Sequence, residues 1–248
     1  MSNSIAVKKY EKLDGTTLKI IACISMFIDH FGYICFPGNI ALRIIGRLAF
    51  PIYCFLLVEG VMYTHDIRRY MFRMFAFALV SEIPFDIAFY NQLVYPFHQN
   101  VFFTLVLGLI TICLIRHRLF KNKILQAMYG IVVVIFMGIL ANTLYVDYYM
   151  YGIVCMAAFY VFRDSKWKKC LASSFSLGIM GGIEWFAAIA AIPVVMYNGR
   201  RGKQTKVMQY GFYIFYPAHL LFLAAVHALF FLMSAAELNS IKSIAECF

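Results

Sequence analysis

Charge is what this chain has least of. Only 14% of its 248 residues are Asp, Glu, Lys or Arg, against 63% hydrophobic and 18% aromatic, and its mean hydropathy is +0.77. A chain so poor in polar groups cannot clothe a globule in a hydrated surface, which excludes a soluble fold and implies an integral membrane protein. None of the seven cysteines forms a C-x-x-C pair, and most fall within apolar runs. They read as small core residues, which excludes a disulfide or zinc framework. No H-x-x-x-H pair is present either, so no metal is expected. Internal repeats, low-complexity tracts and a soluble domain are absent as well, leaving one membrane domain over residues 1–248.

A further absence sets the topology. The connections "YNQLVYPFHQN", "ANTLYVDYY" and "MGGIEW" contain no Lys or Arg, whereas "HDIRRYMFR", "RHRLFKNK", "FRDSKWKK" and "GRRGKQTK", which alternate with them, are basic. Of the 22 Lys and Arg residues, only Arg43, Arg47 and Lys242 fall outside the basic side. The net charge of +10 is thus a topogenic pattern, and nucleic acid is not an expected partner. The positive-inside rule places the N-terminus in the cytoplasm, with a cytoplasmic segment over 1–16 and an extracytoplasmic tail over 234–248. The first apolar run is too long, and lacks the small-residue cleavage site, for a removed signal peptide; it is retained as the first span.

About nine helix-length apolar segments follow, near 17–36, 41–62, 70–90, 101–116, 124–141, 149–163, 169–182, 183–198 and 211–233. The fold class is therefore all-α, a polytopic helical bundle of about nine transmembrane helices with its N-terminus cytoplasmic. The stretch "GIMGGIEWF" allows either a tight outer turn or a break within one bent segment.

The scarce charges are not all in loops. Asp29, His30, Arg47, Glu82 and Asp86 lie in the outer halves of the first three segments. Each ionised side chain there costs roughly 2.5 to 3.5 kcal/mol on insertion scales, so the four charged ones must meet each other or line a wet cavity. Lys19 and His30, eleven residues apart, share a helix face with Cys23 and Met26, about 16 Å apart along the axis. They are expected to line one vertical slot. Asp29 points about 100° away from its neighbour and cannot orient it, so His30 needs a partner from another helix, with Glu82 or Asp86 as candidates. Those two share a face, with Pro84 between them to kink the helix. Arg43 and Arg47 share a face too. Tyr216 and His219, three apart, either line the cavity from the ninth segment or pack helices.

The blocks "FIDHFG", "GRLAFP", "VEG", "SEIPFD", "NVFFTL" and "YPAHLL", in this order along the chain, resemble the TraX family, whose namesake acetylates the N-terminus of a conjugative pilin. TraX proteins are in turn distantly similar to the membrane acyltransferase-three superfamily, whose spacing of a basic residue, ten residues and a histidine is matched by Lys19 and His30. "FPIYCFLLVEG" is similar to that superfamily's second-helix block, with Glu59 where a serine is usual.

The resemblance implies a membrane acetyltransferase using cytoplasmic acetyl-CoA and an acceptor amine or hydroxyl, on a pilin or peptide, a glycan or a lipid headgroup, reached from outside. His30 would be the general base, with a carboxylate behind it and with Asp29, Glu82 and Asp86 in the catalytic cluster. Arg47 would stabilise the oxyanion, and Asn100 is a second donor to it or to the acceptor. Lys19, Arg43, Arg68, Arg69 and Arg73 would hold the donor; Asn100, Glu59, Tyr216 and His219 would face the acceptor. Cys23 offers an acyl-enzyme route, against the plainer reading of a packing cysteine. The competing class is an ion-coupled secondary transporter, for which buried Asp, Glu, Arg and His also serve; inverted repeats and paired broken helices are not evident for it.

Overall fold

The structure is a computed structural model and describes residues 12–245. Most of the expected cytoplasmic segment, residues 1–11, and the last three residues of the expected tail lie outside that range. Among the described residues there is no strand, only two isolated bridges, and the chain runs as helices α1 (Gly15–Cys35), α2 (Ile40–Gly46), α3 (Ala49–Tyr63), α4 (Ile67–Tyr90), α5 (Val101–Arg116), α6 (Lys123–Thr143), α7 (Tyr149–Val161) and α8 (Lys166–Gly178). A 3-10 helix (Gly182–Ala190), a short α9 (Ala191–Val195) and the long α10 (Lys206–Ala245) complete it.

The scarce polar residues mark where helices start. Asp14, Asn39, Asp66, Asn100, Asn122 and Ser165 each cap the following helix by accepting from its first free backbone N–H groups, which have no partner within the helix. At the other end of α4, Asn91 takes the left-handed conformation that stops a helix.

Four stretches are long and apolar enough to cross a membrane: Gly15–Cys35, Ile40–Tyr63, Lys123–Thr143 and Lys206–Phe230. The other expected spans are less regular. α4 has the length, at 24 residues, but carries Arg68, Arg69, Arg73, Glu82 and Asp86. α7 and α8 have 13 residues each, about 20 Å of helix against a hydrocarbon core of about 30 Å. The segment expected at 41–62 breaks at Arg47 and Leu48 into α2 and α3. "GIMGGIEWF" is a turn, with Gly181 and Gly182 at φ of +83° and +59°, values that glycine adopts without strain. α10 starts before the expected 211 and continues through the segment read as a tail.

Apolar side chains line both the interior and the outside. Ile52, Phe55, Leu109, Ile112, Ile153, Met156 and Leu220 form the buried core. Ile131, Val132, Ile135, Phe136 and Ile139 of α6 stay exposed, a face suited to lipid. α5 and α7 approach closely because Gly108 faces Met156 and Gly152 faces Thr104 and Phe50, where added Cβ atoms would collide.

Backbone bonds gather the loops into two ends. Leu13 donates to Met196 O at 3.1 Å, Gly15 to Arg200 O at 2.9 Å, and Arg116 Nη1 to Val61 O at 3.3 Å, so the Lys- and Arg-rich connections share one end. At the other, Gln99 donates to Tyr145 O at 2.9 Å and Asp147 to Gln99 O at 3.1 Å, joining two connections without Lys or Arg.

Candidate functional site

Two constellations and one cavity gather Asp29, Arg43, Arg47, Glu184, His30, His219, Lys19, Glu59 and Arg73. The first constellation satisfies charge with charge. Asp29 on α1 accepts from Arg47 Nη2 at 2.6 Å on both carboxylate oxygens and from Arg43 Nη1 at 2.9 Å. Arg47 also pairs with Glu184 of the 3-10 helix, and its Nε donates to Arg43 O at 3.3 Å. Two acids thus face two bases. Gly46 makes this possible, since a Cβ there would occupy the space of the Asp29 carboxylate. The break between α2 and α3 falls at Arg47, on the turn that carries its guanidinium to Asp29 and Glu184.

The second constellation is a pair of imidazoles. His30 Nδ1 lies 2.7 Å from His219 Nε2, and His219 Nδ1 lies 2.7 Å from the Phe215 carbonyl oxygen. The rings are nearly parallel, with centroids 5.0 Å apart. A carbonyl can only accept, so His219 donates from Nδ1; with both rings neutral its Nε2 must accept, and His30 must donate from Nδ1. That order leaves the lone pair of His30 on Nε2. The expected carboxylate partner is therefore corrected: an imidazole from α10 fills the place assigned to Glu82 or Asp86. Those carboxylates serve the connection between α4 and α5 instead. Asp86 accepts from the Tyr95 backbone N–H at 2.8 Å, and Glu82 accepts from the Asn100 side chain.

The cavity, about 450 Å³, opens at the basic end and runs between α1, α3, α4, α5 and α10. Lys19, Glu59, Arg73, Arg201 and Gln204 line it, and Met26, Phe102 and Tyr216 lie deeper along the helices. His30 is absent from the lining, so the expected single slot from Lys19 to His30 is corrected as well. His30 lies one helical turn beyond Met26, beside the Tyr216 ring at a centroid distance of 6.1 Å and an interplanar angle of 73°. The buried Tyr216 is the partition between the cavity and the imidazole pair.

Other expected site residues divide by location. Lys19 and Arg73 line the cavity. Arg43 sits at the opposite end on Asp29, Arg69 pairs with Asp66 on the exposed start of α4, and Arg68 does not line the cavity. Glu59, expected toward the acceptor, lies with the basic-end residues, beside Tyr197 in the wall of the cavity. Asn100 is occupied by the Ala78 carbonyl at 2.8 Å and by Glu82, and Arg47 is occupied by its ion pairs, so neither points a spare donor at the cavity. Cys23 is bonded to Tyr53 Oη at 3.0 Å. Among the described residues no three His, Cys, Asp or Glu side chains are grouped to hold a metal ion.

Three contributors had escaped notice. Glu184 stood in the sequence as a lone acid in an apolar stretch, a signal of the kind that marked Asp29. Arg201 and Gln204 belonged to a loop read only as topogenic. The connections without Lys or Arg add another pair: His98 Nε2 lies 3.7 Å from Asp147 Oδ1, and Tyr90 hydrogen-bonds His98 Nδ1. Burial pulls the His98 pKa down, but the nearby carboxylates of Asp147, Glu82 and Asp86 outweigh this and raise it above 6.5.

Fold and site together define a helical membrane protein with a neutralised intramembrane ion cluster, a paired imidazole and a cation-lined cavity at one end. The sequence profile of the family described as "TraX protein" matches residues 14–227, and the chain belongs to the TraX family. It is also similar to the "Probable fimbrial assembly protein FimC, serogroup H1" of Dichelobacter nodosus, with 24% identity over 242 residues covering 84% of this chain and 93% of that protein. A shorter likeness, 50% identity over 38 residues and 15% of each chain, joins it to an uncharacterized protein of Rickettsia prowazekii (strain Madrid E). No solved structure matches the chain.

Proposed function

We propose that the chain is a multi-pass acetyltransferase of the bacterial cytoplasmic membrane that moves an acetyl group from cytoplasmic acetyl-CoA to an amine or hydroxyl presented from the outer side. Its nine apolar segments thread the bilayer with the N-terminus and the basic loops inside. The observation that carries this reading is the ordered chain from Phe215 O through His219 to His30, set just past the closed end of a cavity whose mouth is cationic.

The basic end suits a polyanionic donor, and the less polar depth of the cavity suits a thioester arm. The acceptor heteroatom attacks the thioester carbonyl carbon and its proton passes to Nε2 of His30. The carbon–sulfur bond then breaks, and the imidazolium returns the proton to the departing thiolate. His219 supports the transient imidazolium by accepting the Nδ1 hydrogen bond, the role usually given to a carboxylate. Tyr216 must swing aside for the thioester to reach His30, a side-chain motion at the proline of "YPAHLL".

The family, and the name of the Dichelobacter relative, favour a pilus subunit as the first acceptor to test. Purified protein incubated with radiolabelled acetyl-CoA and envelope extract from pilus-forming cells should transfer label to one polypeptide, and His30→Ala should abolish transfer while leaving insertion and the melting temperature intact. Undiminished transfer by His30→Ala refutes the assignment.

A further inference from the structure

The basic loop between α9 and α10 does more than orient the chain. Its backbone is clamped onto the start of α1: Gly15 N–H donates to Arg200 O at 2.9 Å, and the Thr16 hydroxyl donates to Arg201 O at 3.2 Å and Lys203 O at 3.3 Å. Two glycines allow this close seating. Gly199 and Gly202 hold φ of +76° and +79°, and a Cβ on Gly202 would strike the Asp14 carboxylate and the Thr16 hydroxyl at 2.6–2.7 Å. With these backbone carbonyls spent on α1, Arg201 and Gln204 join Lys19 and Arg73 in the wall of the cavity.

Among the described residues those cations, Lys19, Arg73 and Arg201, have no carboxylate partner within ion-pair distance. Among the described residues of the lining Glu59 is the one acid, and it forms no ion pair with any of the three. Gln204 holds Lys19 in place, its Oε1 accepting from Nζ at 3.2 Å, while its Nε2, a buried donor, has no partner. A buried amide N–H left unpaired is costly, and three like charges around one cavity repel; an anion between them relieves both.

We propose that the 199–204 loop, with Lys19 and Arg73, is a preformed clasp for the phosphates of the nucleotide that carries the acyl group. The proposal rests on the acyl-transfer reading but names a site outside the reaction centre. Arg201 supplies a planar fork matched to phosphate oxygens, Gln204 Nε2 a neutral donor, and Lys19 a point charge. Because the loop is already pinned, little ordering entropy opposes binding. Phosphate-bearing lipid headgroups share this chemistry, and the test separates the two sources.

Binding is measured by calorimetry on the full chain in phosphatidylcholine nanodiscs, using coenzyme A, dephospho-coenzyme A and pantetheine as probes. For the wild type, affinity should fall from coenzyme A to pantetheine and weaken as salt rises. Arg201→Ala should weaken coenzyme A at least tenfold, Gln204→Glu more, and neither should change pantetheine binding. Arg69→Ala, outside the cavity, is the control. Should Arg201→Ala and Gln204→Glu bind coenzyme A as the wild type does, the clasp is overturned and the transferase reading stands. Failure of the wild type to bind any of the three overturns both. A protein that ignores coenzyme A yet gains an Arg201-dependent rise in melting temperature from added phosphatidylglycerol assigns the cations to lipid and overturns the clasp.

Discussion

Replacing Asp29 by Asn isolates the energetics of the intramembrane ion cluster. The change keeps size and shape, so no cavity forms, but it leaves Arg43 and Arg47 facing Glu184 alone. The side chains of Asp29 and Arg47 are 10% and 7% exposed, so neither water nor salt can take over the lost charge. Removing one partner of a buried pair costs about 3–5 kcal/mol, since the remaining charge stays desolvated. The exposed Asp66–Arg69 pair, at 46% and 83%, is the internal contrast, worth below about 1 kcal/mol. Asn at position 66 preserves the cap on α4, so Asp66→Asn should be nearly neutral. Equilibrium unfolding in mixed micelles, titrated with sodium dodecyl sulfate, measures both. Adding Arg43→Gln to Asp29→Asn restores neutrality and should recover part of the loss, a coupling of about 0.5–3 kcal/mol. If Asp29→Asn lies within about 1 kcal/mol of the wild type, the cluster is not the electrostatic closure described here.

Under the proposed function, His219→Ala should lower kcat by about 10²-fold or more while leaving coenzyme A affinity unchanged, because it frees the His30 tautomer without touching the cavity. Transfer kinetics and calorimetry on one preparation check this; equal losses in both would point to a packing role instead. The connections that carry His98 and Asp147 should respond to pH. His98 has a raised folded pKa, so its contribution to stability is fully present below about 6.5 and is lost as pH climbs through the raised value. Melting curves from pH 6 to 9 should show a decline in the wild type that His98→Gln lacks.

Much of this protein could be read from the order of its residues. Composition forces a membrane-embedded helical chain, and the alternation of loops with and without Lys or Arg sorts the connections into two sets that the tertiary bonds gather at opposite ends. That is a one-dimensional property. The cost of bare charge in hydrocarbon likewise singles out Asp29, Arg47, Glu82 and Asp86 as residues that need partners, whatever the fold.

Which partner each one finds is another matter. His30 and His219 are separated by 189 positions, and nothing local to either says that α10 packs beside α1 at that height. Glu184 reaches Arg47 only because paired glycines turn the chain back into the bundle, and Asp86 is drawn to a loop N–H that its own helix cannot foretell. The partition at Tyr216 and the clasp on α1 come from packing geometry, which depends on how helix faces meet in space. The chain's chemistry states which groups cannot stand alone; the arrangement of helices decides who stands beside them.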